Sequence, residues 1–181
     1  MEFQRRAHGL LVRPLGEGDA PALHAAVRVS IDSLSHWLPW CHPDYSLADA
    51  EAWVAYAEAA WARQSEFPLA VFDDTSGEFI GCTGLSQVNG VHRSANLGYW
   101  IGEPHRGRGI ATHAVTLAAA IAFEELDLVR LEIVVLPDNR ASQRVAEKIG
   151  ATREVEARNR LMFQGRPSAA VVYSLIPGDL R

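Results

Sequence analysis

Cysteine is scarce in this 181-residue chain: there are two, Cys41 and Cys82. That excludes the multi-disulfide framework of a secreted mini-domain and points to a reducing cytoplasm. Long apolar runs are missing too, the richest being broken by His113, Thr116 and Glu124, so no window supplies the roughly 20 residues of a membrane-spanning helix. The basic N-terminus MEFQRRAHGLLVRPL carries an apolar stretch too short for the core of a signal peptide. Positive charge is in the minority, with 17 Lys plus Arg against 22 Asp plus Glu and a net charge of −5. No stripe of basic residues alternates with aromatics, which argues against nucleic acid as a partner. The expectation is a soluble cytoplasmic protein with neither a membrane nor a nucleic-acid surface.

What is present is a 48% hydrophobic chain of a length that one core can serve, so residues 1–181 are expected to form a single domain. LLVRPL at 10–15 reads as a strand, followed by Asp19 as cap of a helix that has Pro21 in its first turn and runs to about Ser30. SHWLPWCHPDYS then reads as an aromatic loop, and Ser46 with Asp49 as a capping box that opens a helix through Trp53 and Trp61. The stripe spacing makes both of those tryptophans packing residues.

PLAVF at 68–72 and FIGCTGLS from 79 flank the turn formers DDTSG, predicting a hairpin. Ala95 to Ile101 follow as a strand with Leu97, Tyr99 and Ile101 on one face and Asn96, Gly98 and Trp100 on the other. An amphipathic helix is expected from Gly109 to about Leu126, a buried strand over LEIVV at 131–135, and a turn at Pro137-Asp138-Asn139. A helix ending at Gly150 and two last strands, turning at Gln164-Gly165-Arg166-Pro167, complete an α+β order with a mixed sheet.

The chemistry concentrates where the 95–101 strand passes through Gly102-Glu103-Pro104-His105 into RGRGIA and directly into a helix. A helix N-terminus and several backbone N–H groups then converge on one point, which suits an anion. Gly107 and Gly109 let the backbone approach a phosphate, and Arg106 and Arg108 can add charge-assisted bonds. A basic solvated turn would read the same way in isolation. The dinucleotide fingerprint and the Gly-Lys-Ser/Thr phosphate loop are both absent, which disfavours NAD and ATP.

At this point the chain resembles the GNAT superfamily of N-acetyltransferases, whose fingerprint of Arg or Gln, two residues, Gly, one residue, then Gly or Ala is matched by Arg106, Gly109 and Ala111. It is similar in particular to the RimJ/RimL branch, the ribosomal-protein N-acetyltransferases, through HWLPW at 36–40, NLGYWI at 96–101 and NRASQRVAEKIGA at 139–151. The likeness covers nearly the whole chain. It implies a GNAT-like mixed β-sheet, flanked by helices and splayed between the NLGYWI and LEIVV strands, with acetyl-CoA wedged in the gap.

Backbone groups of Tyr99, Trp100 and Ile101 would then pair with the pantetheine arm, and Arg106, Gly107, Arg108, Gly109, Ile110, Ala111 and Thr112 would hold the pyrophosphate. Asn139 would contact the pantetheine, or simply cap its helix. Ser142 would lie near the cofactor sulfur and donate to the departing thiolate, making it the implied catalytic residue. Lys148 reads either as a phosphate contact or as a complement to the helix dipole. Trp37 and Trp40 read as one wall of the acceptor groove or as core, and Asn96 occupies a strand position facing the acceptor.

Relatives often carry a glutamate where this chain has Asn96, and another acid near Leu161, so no carboxylate base is evident; Glu103, His92 or a water chain are the remaining candidates. An α-amine of pKa near 8 is roughly one-tenth neutral at pH 7, against less than about one part in a thousand for lysine, so an α-amino acceptor tolerates that lack better. The acceptor is therefore expected to be a protein or peptide N-terminus or a small amine. No metal is expected, since Cys41-His42 are adjacent and no second tight cluster accompanies them. The likeness makes a homodimer an expectation by analogy. The alternative is a non-catalytic CoA-binding protein of the same fold.

Overall fold

The computed structural model describes residues 3–180. Its N-terminal end is a hairpin of β1 (Arg5–Ala7) and β2 (Leu10–Pro14), turned by His8 and Gly9 at positive φ. The first of these strands is only Arg-Arg-Ala, too short to show an alternation in sequence. β3 (Phe67–Asp73) and β4 (Phe79–Asn89) form the expected hairpin, and the Asp73 carboxylate accepts the N–H groups of Thr75 and Ser76 to shape its turn. With β5 (Ser94–Ile101), β6 (Arg130–Val135), β7 (Thr152–Phe163) and β8 (Arg166–Leu175) they make one eight-stranded sheet in the order β1-β2-β3-β4-β5-β6-β8-β7.

Only β5 and β6 run parallel, and they pair for just three residues: Ser94 with Arg130, Ala95 with Leu131, Asn96 with Glu132. Beyond these, β5 stays with β4 as far as Ile101 opposite Gly81, while β6 follows β8 to Val135 opposite Val171. The sheet therefore opens between residues 97–101 and 133–135. β6 is not buried on both faces as LEIVV suggested: Leu131, Ile133 and Val135 are buried in the core with α4 and α5 residues, whereas Glu132 and Val134 on the other face are half-exposed and Glu132 pairs with Arg130 and Arg160.

Helices cover both faces. α1 (Ala20–Val29), α2 (Ile31–Trp37) and α3 (Leu47–Arg63) pack through Leu23, Val27, Leu34, Val54 and Ala57 against Ala70, Phe72, Phe79 and Cys82. α4 (Ile110–Glu124) and α5 (Arg140–Lys148) cover the other face, where Val115, Ala118, Ile121 and Ala146 meet Leu69, Leu85, Leu97 and Tyr173. Burying each large aliphatic side chain here contributes about 1.5–3 kcal/mol. Among the described residues no helix is long and apolar enough to cross a membrane.

The α+β architecture with a mixed, splayed sheet is as expected; two further local readings need correction. The segment 35–37 is the end of α2 rather than the start of a loop, since Leu34 is buried and Leu38 N closes the helix on Leu34 O (2.8 Å). Asp19 does not cap α1 through its side chain: its carboxylate accepts Gly16 N (2.8 Å) and forms a two-pronged pair with Arg13 (2.7 and 2.8 Å). The Ser46–Asp49 capping box at α3 is present, with Ser46 N donating to Asp49 Oδ2 (2.8 Å) and Asp49 N to Ser46 Oγ (3.3 Å).

Candidate active site

Strand pairing determines what faces the opening in the sheet. Gly102 N donates to Ile80 O (2.8 Å), and the β4–β5 register sets Trp100 opposite Cys82 and Gly98 opposite Gly84. By the two-residue alternation of an antiparallel ladder, the main-chain groups of Gly98 and Trp100 point to β4, whereas those of Leu97, Tyr99 and Ile101 point into the gap. Ile101 O accepts Arg106 Nε (2.9 Å), which latches the following loop to the strand end. The Tyr99 and Ile101 N–H groups remain directed at the gap.

The loop continues through a 3-10 turn, Glu103–His105, into Arg106–Gly109 and α4. Gly107 (φ 75°) and Gly109 (φ 78°) both adopt left-handed backbone. The first backbone bond of α4 is His113 N to Gly109 O (3.3 Å) and no side chain caps this end, so the N–H groups of Ile110, Ala111 and Thr112 are presented outward. A Cβ at Gly107 would meet nothing within 4 Å. An uncapped, positively polarised helix end behind an open glycine turn fits a phosphate group. His113, stacked on His8 (4.1 Å), lies beside it, and burial and the neighbouring ring push its pKa down.

Across the gap stands the N-terminus of α5. Asn139 caps it, its Oδ1 accepting Ser142 N (3.1 Å), and Gln143 Nε2 donates to Pro137 O (2.7 Å) to fix the preceding turn. The Tyr99 hydroxyl reaches over from β5, donating to Ser142 O (3.0 Å) and lying 2.8 Å from Ser142 Oγ. Burial pushes the Tyr99 phenol up to about 12, so it stays protonated through the neutral range. Arg140, Arg144 and Lys148 are exposed, and Lys148 sits in the last turn of α5 where it complements the dipole.

The opposite face of β5 floors a cavity of about 580 Å³ between the sheet, α3 and the 38–45 segment. Trp40, Tyr45, Trp53, Tyr56 and Trp100 contribute its rings, and Gly84 and Gly98, paired across β4 and β5, contribute its floor. Trp53 stacks on Tyr56 (5.3 Å between ring centres) and Trp40 leans on Trp100 (6.1 Å). Gly84 has no alternative, since a Cβ there would come within 2.8 Å of Phe67 O; at Gly98 a Cβ would enter open space. Asn96 lies on the same face as Gly98, its Nδ2 3.5 Å from Ser86 Oγ.

Trp40 thus lines the cavity, while Trp37 does not: its ring packs on Phe163 (6.3 Å) and against the His36 edge (4.4 Å). Trp53 is a correction to the sequence reading. It is 40% exposed and lines the cavity, whereas Trp61 is the packing residue, with Nε1 on Pro68 O (2.7 Å) and its ring on Phe3 and Phe67. Tyr45 and Tyr56 were not anticipated, although Asp49, Ala52, Trp53 and Tyr56 recur at the spacing of one helix stripe.

Of the candidate bases, Glu103 already accepts a hydrogen bond from Ser33 Oγ (3.1 Å), and His92 lies in the β4–β5 turn at the other end of β5 from the glycine loop. Burial pushes the thiols of Cys41 and Cys82 up, which disfavours the thiolate. Among the described residues no three His, Cys, Asp or Glu side chains gather to hold a metal.

Comparison with known proteins places this geometry in context. Residues 9–152 match the acetyltransferase (GNAT) domain model. The probable N-acetyltransferase YjcK of Bacillus subtilis is 36% identical over 104 residues, a match spanning 57% of this chain and just over half (58%) of that relative. The spermidine N(1)-acetyltransferase of Escherichia coli K12 is 27% identical over 91% of this chain and 84% of its own length. The crystal structure of a probable acetyltransferase superposes with a TM-score of 0.86 at 27% identity, covering 97% of both chains. The ribosomal L7/L12 α-N-protein acetyltransferase RimL in complex with coenzyme A gives the same TM-score at 23% identity over 94% of this chain and 95% of its own, a likeness of fold.

Proposed function

The chain belongs to the acetyltransferase (GNAT) domain family, and on that premise we propose that it transfers the acetyl group of acetyl-CoA directly to a primary amine. The observation that carries this reading is the three-residue β5–β6 pairing, which leaves the N–H groups of Tyr99 and Ile101 facing a gap with the glycine loop at one end and Ser142 on the opposite lip.

In this reading the open Gly107–Gly109 turn and the N–H groups of Ile110, Ala111 and Thr112 hold the pyrophosphate. Tyr99 and Ile101 complete their strand hydrogen bonds with the pantetheine amides, and the Ile101 N–H polarises the thioester carbonyl. The acceptor nitrogen forms a bond to the carbonyl carbon, the carbon–sulfur bond breaks, and the amine proton passes to solvent. Ser142 Oγ donates to the sulfur as negative charge develops there. Tyr99 is a positioning residue: its single O–H proton can go to Ser142 O or to Ser142 Oγ, and with it on Oγ the serine's own proton is free for the sulfur. The acceptor is a protein or peptide N-terminus or a small amine, a range spanned by the named activities of relatives, which include a ribosomal uS5-alanine N-acetyltransferase and the spermidine enzyme.

The test is thiol release from acetyl-CoA against α-amino peptides, amine-blocked controls and small amines. Release that depends on a free amine and falls in Ser142→Ala supports the reading. Acetyl-CoA binding without turnover across the panel would favour a non-catalytic coenzyme-binding protein instead.

A further inference from the structure

The cavity on the far face of β5 is chemically two-ended. At one end Trp100 and Gly98 border the strand whose other edge faces the gap. At the other end, Glu66 immediately precedes β3, one residue before the Phe67–Leu85 pair, so it continues a transverse row through Ser86 on β4 to Asn96 on β5. Glu66 and Ser86 line the cavity, and Asn96 Nδ2 lies 3.5 Å from Ser86 Oγ. Glu66 also sits beside the Tyr56 hydroxyl, whose pKa its carboxylate pushes up.

Between these ends the walls are the Trp53–Tyr56 stack and Trp40, and the floor is glycine backbone. Among the described residues the charged groups that line the cavity are acidic, Asp49 and Glu66; His42 accompanies them, and no Lys or Arg does. Asp49 is held ionised by its capping bonds from Ser46, with His42 Nε2 3.9 Å away. Among the described residues the Glu66 carboxylate has no such cap and no Arg within salt-bridge distance. From β5 to β3 is two strand spacings, about 10 Å.

Apolar aromatic walls with a carboxylate at the far end suit a ligand with an apolar body and a remote positive charge, because a cation gains both from the ring faces and from the ion pair. A monoamine would leave Glu66 facing an uncharged group. The volume matches a small molecule.

We infer that the acceptor is a small diamine or polyamine whose second ammonium group, about 10 Å or more from the reacting nitrogen, is held by Glu66 with Tyr56, Ser86 and Asn96 while the aromatic walls grip the methylene chain. This inference rests on the transferase reading for the fate of the first amine, but the recognition of the second cation can be measured separately.

The probes are heptylamine, aminoheptanol and diaminoheptane, which share a chain and differ at the far end. Wild-type kcat/KM for the diamine is expected to exceed that for the amino alcohol by about tenfold, the scale of a cation gripped by rings and one carboxylate. Glu66→Gln is expected to erase that ratio by raising KM for the diamine alone, with kcat and the amino-alcohol parameters unchanged. Quenching of the cavity tryptophans on titration gives a second readout, with diaminoheptane binding more tightly than aminoheptanol and Glu66→Gln removing the difference. Equal treatment of diamine and amino alcohol, or a ratio untouched by Glu66→Gln, would overturn the inference. No acetyl transfer to any of the three, with the binding difference intact, would instead overturn the transferase reading and leave the cation site standing.

Discussion

The Tyr99 hydroxyl and Ser142 Oγ stand 2.8 Å apart and tie β5 to the first turn of α5 across the mouth of the sheet opening. The same phenol lies 3.0 Å from Ser142 O, so the serine hydroxyl has a fixed neighbour on one side and the gap on the other. Ser142→Ala should lower kcat by roughly 100-fold, the lower end of the range for a positioned proton donor. The KM for acetyl-CoA should move little. Tyr99→Phe should lower kcat by a smaller factor, and the double variant should resemble Ser142→Ala alone, since the tyrosine acts through the serine. Steady-state kinetics on the four proteins checks this, and additive losses would separate the two roles.

Gly107 uses a backbone conformation that disfavours side chains, although the space around it is open. Gly107→Ala therefore carries a strain of about 1–2 kcal/mol with no clash. Relief of that strain would distort the turn, so the expected effect is a rise of about tenfold in the acetyl-CoA dissociation constant. Gly107→Asn should be milder, because asparagine tolerates positive φ. Titration calorimetry with acetyl-CoA distinguishes this from an effect on the amine.

The two floor glycines of the cavity should respond in opposite ways. Gly98→Leu projects into open space and should leave the melting temperature close to wild type while raising KM for amines about tenfold or more if the cavity holds the acceptor as proposed. Gly84→Ala puts a methyl group 2.8 Å from Phe67 O and should cost about 1–3 kcal/mol of stability. Thermal melts paired with amine kinetics test both.

Acid should loosen the far end of the sheet. Arg130 forms a two-pronged pair with Glu154 (2.6 and 3.0 Å), and its hydrogen bonds, followed by one from Ser174, push the Glu154 carboxyl down to about 2 from its ordinary 4.5. A carboxyl lowered in the folded state contributes stability above about pH 4.5, and that contribution fades as pH falls toward 2. The pair is partly solvated, so its worth is below about 1 kcal/mol. Glu154→Gln should lower the urea midpoint slightly at pH 7 and converge on wild type as pH falls to about 2, the lower end of that window. An equal deficit at both pH values would contradict the assignment.

Much of this geometry was legible in the sequence because local pattern and tertiary role coincide there. The alternation Leu97, Tyr99, Ile101 against Asn96, Gly98, Trp100 survives folding, and the glycine loop leads directly into α4 as expected. Asn139 proves to be the cap of α5, and that same bond sets Ser142 in the first turn facing Tyr99. The acceptor side was harder to read. Trp53 and Trp61 occupy similar-looking positions on α3, but Trp61 is drawn inward by Pro68 O, Phe3 and Phe67, whereas Trp53 faces a space that exists only because Gly84 and Gly98 meet across two strands. A one-dimensional stripe cannot reveal a cavity made by distant glycines. The Glu66–Ser86–Asn96 row is invisible for the same reason: its members come from three strands and are aligned only by register.

In the proposed reading acetyl-CoA occupies the β5–β6 opening, with its phosphates on the glycine loop and its pantetheine along Tyr99 and Ile101. Amide hydrogen exchange with and without acetyl-CoA tests it most directly. The account predicts that the amides of Tyr99 and Ile101 slow together with those of residues 107–112 and of Ser142 on the opposite lip. Slowing at 107–112 with no change at Tyr99 and Ile101 would contradict it, because the phosphates would then be held while the gap stayed open.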